Sequence, residues 1–138
     1  MITNLSTKQP VSLIDMGFNG ICEMHINGND VTESLEKLNS FIANDYIISY
    51  DMFLTCCNAV QEIKNKIIAA SYNEPVEVEF KYCCIDLRHN EQDLMACMVP
   101  IALNAYGLCL KNITGKEIMP NDKISFHHFN SYIVSLNN

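Results

Sequence analysis

The spacing of apolar residues between Phe53 and Ala70 constrains this chain more than any other feature. Phe53, Cys56, Val60, Ile63, Ile67 and Ala70 recur at intervals of three and four, the repeat of one face of an α-helix. Asn58, Glu62, Asn65 and Lys66 fall on the opposite face, with Glu62 and Lys66 one turn apart as a favourable pair. Asp51 reads as the N-cap and Asn73-Glu74-Pro75 as the stop, so a helix is predicted over residues 52–71. A helix with one apolar face must bury it, so the rest of the chain has to supply a second layer.

Directly after the stop the period changes from 3.6 to 2. Val76, Val78, Phe80 and Tyr82 share one face, and Glu77, Glu79 and Lys81 the other. This predicts a strand over 76–87 with one wet face. Residues 11–16 and 21–26 read as a hairpin around the turn signal Gly17-Phe18-Asn19-Gly20. Asp30 and Glu33 form a capping-box-like start, and Leu35, Leu38 and Ile42 carry a helix over 31–44. The apolar run 94–103 fits a buried strand or a helix. Pro100 disfavours a helix interior, and the shortest connection makes the run a strand paired with 76–87. Residues 106–113 and 116–119 read as a hairpin around Thr114-Gly115. Residues 123–129 read as a last strand, and 130–138 as a short terminal helix or strand. Together these elements predict one α+β domain over residues 1–138, an antiparallel sheet with the long amphipathic helix packed on one face.

Charge narrows the partners. Nine Lys and Arg stand against sixteen Asp and Glu, a net charge of −7, and Arg88 is the one arginine. Binding nucleic acid or an anionic membrane surface needs clustered Lys and Arg, and here the basic residues are scattered singly. Seventeen residues from Leu94 to Leu110 lack charge, but Pro100, Asn104 and Gly107 interrupt them and acids precede them. A buried core element fits better than a membrane span. The seven cysteines, at 22, 56, 57, 83, 84, 97 and 109, lie in apolar stretches with no CxxC. Reduced, buried thiols in a cytoplasmic protein are the expectation, as residues 1–10 lack the pattern of a secretory signal.

No motif names a reaction. Adjacent His127 and His128 on a strand would point to opposite faces and lack a third metal ligand. Cys83-Cys84 with Asp86 and His89 is the best thiol-enzyme candidate, but acidic surroundings raise a thiol pKa. Glu77 and Glu79 stand roughly 7 Å apart on one strand face, without a Trp to stack a sugar ring. Asn27-Gly28-Asn29-Asp30 lacks the distal Glu of a calcium loop, and no phosphate-binding loop is present. No catalytic residue, metal or cofactor is therefore expected.

Acids do gather along one stretch. Glu74, Glu77 and Glu79 sit beside the turn acids Asp86, Glu91 and Asp93, and together they would face a basic protein surface. The same acidity also serves solubility. In size, charge and composition the chain looks like the small acidic immunity proteins that bacteria make against toxins. That resemblance has no motif behind it and implies no residue roles. It implies a binding protein, monomer or dimer, that neutralises a basic toxin of the nuclease type. An acidic secretion chaperone, normally a dimer, and a small enzyme with an unrecognised pocket are the competing readings.

Overall fold

The structure is a computed structural model that describes residues 2–3, 10–11, 13, 17–42, 46–84, 86–126 and 131–137. Two short strands, β1 (Ile2–Thr3) and β2 (Pro10–Val11), pair antiparallel with each other. The hairpin expected over 11–16 and 21–26 does not form: its second half is a helix, α1 (Phe18–Ile26). Gly17, in the left-handed region at φ 89°, turns the chain into it. Phe18, Ile21 and Cys22 are buried, and their i, i+3, i+4 spacing is helical; the alternation from Ile21 to Ile26 is incidental to it. Most of the hairpin's first half lies outside the described residues.

Helix α2 (Thr32–Asn39) buries Leu35 and Leu38 and ends five residues before the predicted limit. Asp30 Oδ1 accepts from the Thr32 backbone N–H at 3.0 Å and from the Thr32 hydroxyl at 2.8 Å. These bonds hold the Asp30 carboxyl below its usual range. Residues 43–45 fall outside the description. Beyond them, Asn39 donates to the Ile48 carbonyl at 2.8 Å and accepts the Ile48 N–H at 2.9 Å, tying the loop to the end of α2.

The long helix, α3 (Tyr50–Ala69), matches the expected stripe. Phe53, Cys56, Val60, Ile63 and Ile67 are buried, with Met52 and Cys57 widening the face. Its N-cap is Ser49, whose hydroxyl accepts from the Met52 N–H, and Asp51 sits in the first turn. The strand that follows, β3 (Val76–Glu79), is far shorter than 76–87. Phe80 turns inward, 3 % exposed, and packs against Tyr132 with ring centroids 5.8 Å apart. The Cys83 N–H then donates to the Phe80 carbonyl at 2.9 Å, closing a 3₁₀ turn over Lys81–Cys84.

The largest correction concerns 94–103, which is the middle of a helix, α4 (His89–Ala105), with Pro100 inside it. Leu94 to Ala96 and Met98 to Leu103 are all buried, because α1, α3 and the strand after α4 pack around this helix. A helix covered on nearly every side has no polar face and so no visible period. Proline removes the bond its N–H would make to the carbonyl four residues back and crowds that carbonyl. Here that carbonyl, Ala96, accepts the Ile124 N–H at 3.1 Å. The helix keeps its proline because a neighbouring segment uses the acceptor the proline leaves open.

Gly107 ends α4 at φ 79°. Next come β4 (Leu108–Asn112) and β5 (Glu117–Ile118), the hairpin expected around Thr114-Gly115. Asn112 Oδ1 accepts from the Thr114 and Lys116 N–H groups, and Gly115 takes φ 94°. The segment 123–126 is not a strand, and 127–130 lie outside the description. The last strand is β6 (Ser131–Leu136), which pairs antiparallel with both β3 and β4. The sheet order is β3-β6-β4-β5. Tyr132, Val134, Leu108 and Leu110 are buried on one sheet face, with Val76 and Val78 packed at its edge against the same core as α3 and α4. The fold is α+β with an antiparallel sheet and the long helix against it, as the sequence predicts.

Candidate functional site

The six predicted partner-binding acids are not one row. Glu77 and Glu79 alternate on β3, directly opposite Ile133 and Ser131 of β6. Glu74 is exposed just before the strand. Because β3 stops at Glu79, Asp86 is not its continuation; it stands exposed in a turn at φ 65°. Glu91 folds back on the start of α4. Its Oε1 accepts the Arg88 backbone N–H at 2.9 Å and meets the Arg88 guanidinium at 3.1 Å. Those bonds hold its carboxyl below the usual range, the backbone donor first among them. Asp93 pairs with Lys123, and the bond raises the ammonium pKa of that lysine. Asp93 and Lys123 border a shallow dent of about 150 Å³ with Ala96, Ile124 and Phe126. Glu79, Glu91 and Asp93 each meet a local cation, and Glu77 has no ion-pair partner among the described residues.

Glu77 and Glu79 border a second depression, a groove of about 450 Å³ between α3 and β3. The helix supplies Ala59, Glu62, Ile63 and Lys66 to its wall. The strand side supplies Glu77, Val78 and Glu79, and the turn beyond adds Phe80, Lys81 and Cys83. Glu79 meets Lys81 at 3.2 Å. Among the described residues Glu62 and Glu77 have no ion-pair partner. Within the sheet β3 has β6 on one side only. The groove therefore lies against a strand edge whose backbone groups are not taken up by another described strand.

The corner between α3 and β3 was missed by sequence reasoning. Tyr72 and Asn73 both take left-handed backbone conformations, at φ 65° and 51°. This costs little for Asn, but for a bulky aromatic it is an outlier. Tyr72 is 94 % exposed, and Ile68, one turn earlier, is 55 % exposed. An aromatic held out by strained backbone beside an acidic strand has the composition of a protein contact. The sequence signal was faint: a Tyr between a helix stop and a proline.

Four of the described thiols are buried, and Cys97 and Cys109 are half-buried. Cys22, Cys56 and Cys57 are fully buried and Cys83 is 3 % exposed. Cys57 accepts hydrogen bonds from the Cys22 thiol and the Tyr106 hydroxyl, which push its pKa down, the Cys22 bond most. That same bond pushes the Cys22 thiol up, with burial adding to it. Burial is the largest cause raising Cys56 and Tyr106. Of the thiol-enzyme candidates, Cys83 lies in the core while His89 is exposed at the start of α4. The Cys84 side chain and the His127-His128 pair lie outside the described residues. Among the described residues no group of three or more His, Cys, Asp or Glu could hold a metal ion, and no helix is long and apolar enough to cross a membrane. Comparison with protein-family models, with curated proteins and with solved structures finds no match for this chain.

Proposed function

We propose that this chain is an acidic protein-binding module of the immunity kind, a cytosolic protein that neutralises a basic protein such as a nuclease-type toxin. The observation that carries this reading is the position of Glu77 and Glu79. Both lie on an edge strand, beside a groove whose helical wall carries Glu62 and Lys66. A protein that acts on nucleic acid needs clustered Lys and Arg for its phosphates, and carboxylates on a strand edge offer that cluster a substitute. The net charge of −7 extends the attraction beyond the contact and would speed encounter with a basic partner. Tyr72, exposed just before β3, adds an aromatic of the kind enriched at protein contacts.

The test starts with co-expression beside a basic toxin candidate, first of all the product of the neighbouring reading frame. The chain should relieve the growth arrest which that product causes alone. Association kinetics of the purified pair should then show a fast, salt-sensitive on-rate. Glu77→Lys combined with Glu79→Lys should lower that rate about tenfold or more at low salt and flatten its salt dependence. The fold should survive, since Glu77 is exposed and Glu79 half-buried. Kinetics unchanged at low salt would remove this edge from the interface.

A further inference from the structure

We infer that the partner contributes an extended, basic segment that adds to the sheet as a fifth strand along the outer edge of β3. The inference rests on the binding reading above and specifies how the contact is made. An edge strand presents alternate N–H and C=O groups that remain unpaired until another strand arrives. Among the described residues no hydrogen bond reaches the backbone of Val76 to Glu79 from outside the sheet. Folded proteins commonly blunt such an edge with a covering loop or helix. Here α3 stands off from it by a groove of about 450 Å³, open enough to admit a chain.

The lining says which chain. A strand laid beside β3 would send alternate side chains towards the groove and towards the open face of the sheet. Ala59, Ile63 and Val78 offer an apolar floor on the groove side, where Glu62 stands beside Lys66, while Glu77 and Glu79, the latter paired with Lys81, alternate with Val78 onto the open face of the sheet. Apolar side chains pointing in and Lys or Arg beside the glutamates would satisfy both. The same carboxylates act against a second copy of this chain. Its own edge carries Glu77 and Glu79, and two copies at −7 each would set like charges across the new ladder. The edge is thus unreceptive to self-pairing and receptive to a cationic strand. Backbone pairing supplies affinity in such a contact, and the side-chain pockets supply selection.

The probe is the blocked hexapeptide acetyl-Lys-Val-Lys-Val-Lys-Val-amide, titrated into the full chain at low salt. Its control is the same peptide N-methylated at its two central residues, which keeps every charge and blocks both of its hydrogen-bonding edges. The unmodified peptide should bind about tenfold more tightly or better, as several backbone hydrogen bonds are at stake. Amide exchange within Val76–Glu79 should slow on binding. Equal affinity for the two peptides, with no gain in protection, would overturn strand addition while leaving the acidic contact surface intact. No binding of either peptide would overturn both readings. Concentration-dependent protection of the same amides without peptide would also overturn the inference, by making a second copy the occupant.

Discussion

Two residues between α3 and β3 bear on what the chain binds and how stable it is. Tyr72 sits in a left-handed backbone conformation and is 94 % exposed. No packing therefore compensates the strain, which for a bulky residue is of order 1–2 kcal/mol. Asn73 beside it takes the same region at little cost, since a short amide side chain tolerates it. Replacing Tyr72 by Asn should therefore leave stability unchanged or raise it by up to about 1 kcal/mol. If the ring is the anchor of the docking surface, the same change should weaken association with the partner tenfold or more. The check is chemical denaturation and binding on the same preparation. Lower stability with unaltered binding would make Tyr72 a structural residue and move the contact elsewhere.

At the scale of elements, what the sequence made legible depended on how many sides of each element were covered. Helix α3 has solvent along one side, so Glu62, Asn65 and Lys66 stand against Ile63 and Ile67 and the period shows. Helix α4 is wrapped by α1, α3 and β4, so its residues carry no contrast, and Pro100 argued for a strand. The Ile124 N–H, from a distant segment, takes the Ala96 carbonyl that the proline leaves open. The candidate site was half legible for the same reason. Alternation picked out Glu77 and Glu79, but the Arg88 and Lys123 partners of Glu91 and Asp93, and the groove itself, are made by folding. Capping sharpens the point. Asp51 looked like the cap of α3, yet the bond from the Met52 N–H goes to Ser49. Ser49→Ala should cost about 0.5–2 kcal/mol. Asp51→Ala should cost only a few tenths, the value of an exposed acid near a helix N-terminus. Urea denaturation of the two variants separates them, and the reverse order would mean the helix starts where the sequence alone suggested.

For the molecule as a whole, the strand that organises the sheet comes last in the described chain. β6 lies between β3 and β4, and its pairing of Val134 with Val76 and with Leu110 joins segments far apart in sequence. Such long-range pairs form only after the intervening chain is ordered, so the sheet should assemble late and as a unit. Without β6, β3 has no strand neighbour and β4 keeps only the two residues of β5. Tyr132 and Val134, both buried, would also leave the core. A chain ending after residue 130 should therefore lose cooperative unfolding and the amide dispersion of a packed sheet, while keeping part of its helical circular dichroism. Two point variants in the full chain guard against reading this as a mere effect of shortening. Val134→Asp places a carboxylate where exposure is 0 % and should cost several kcal/mol. Ile133→Thr lies on the opposite sheet face, half-buried, and should cost about 1 kcal/mol or less. If the shortened chain melted cooperatively at the full-length midpoint, β6 would be an addition to a fold that stands without it. The groove beside β3 would then have to be stabilised by α3 alone.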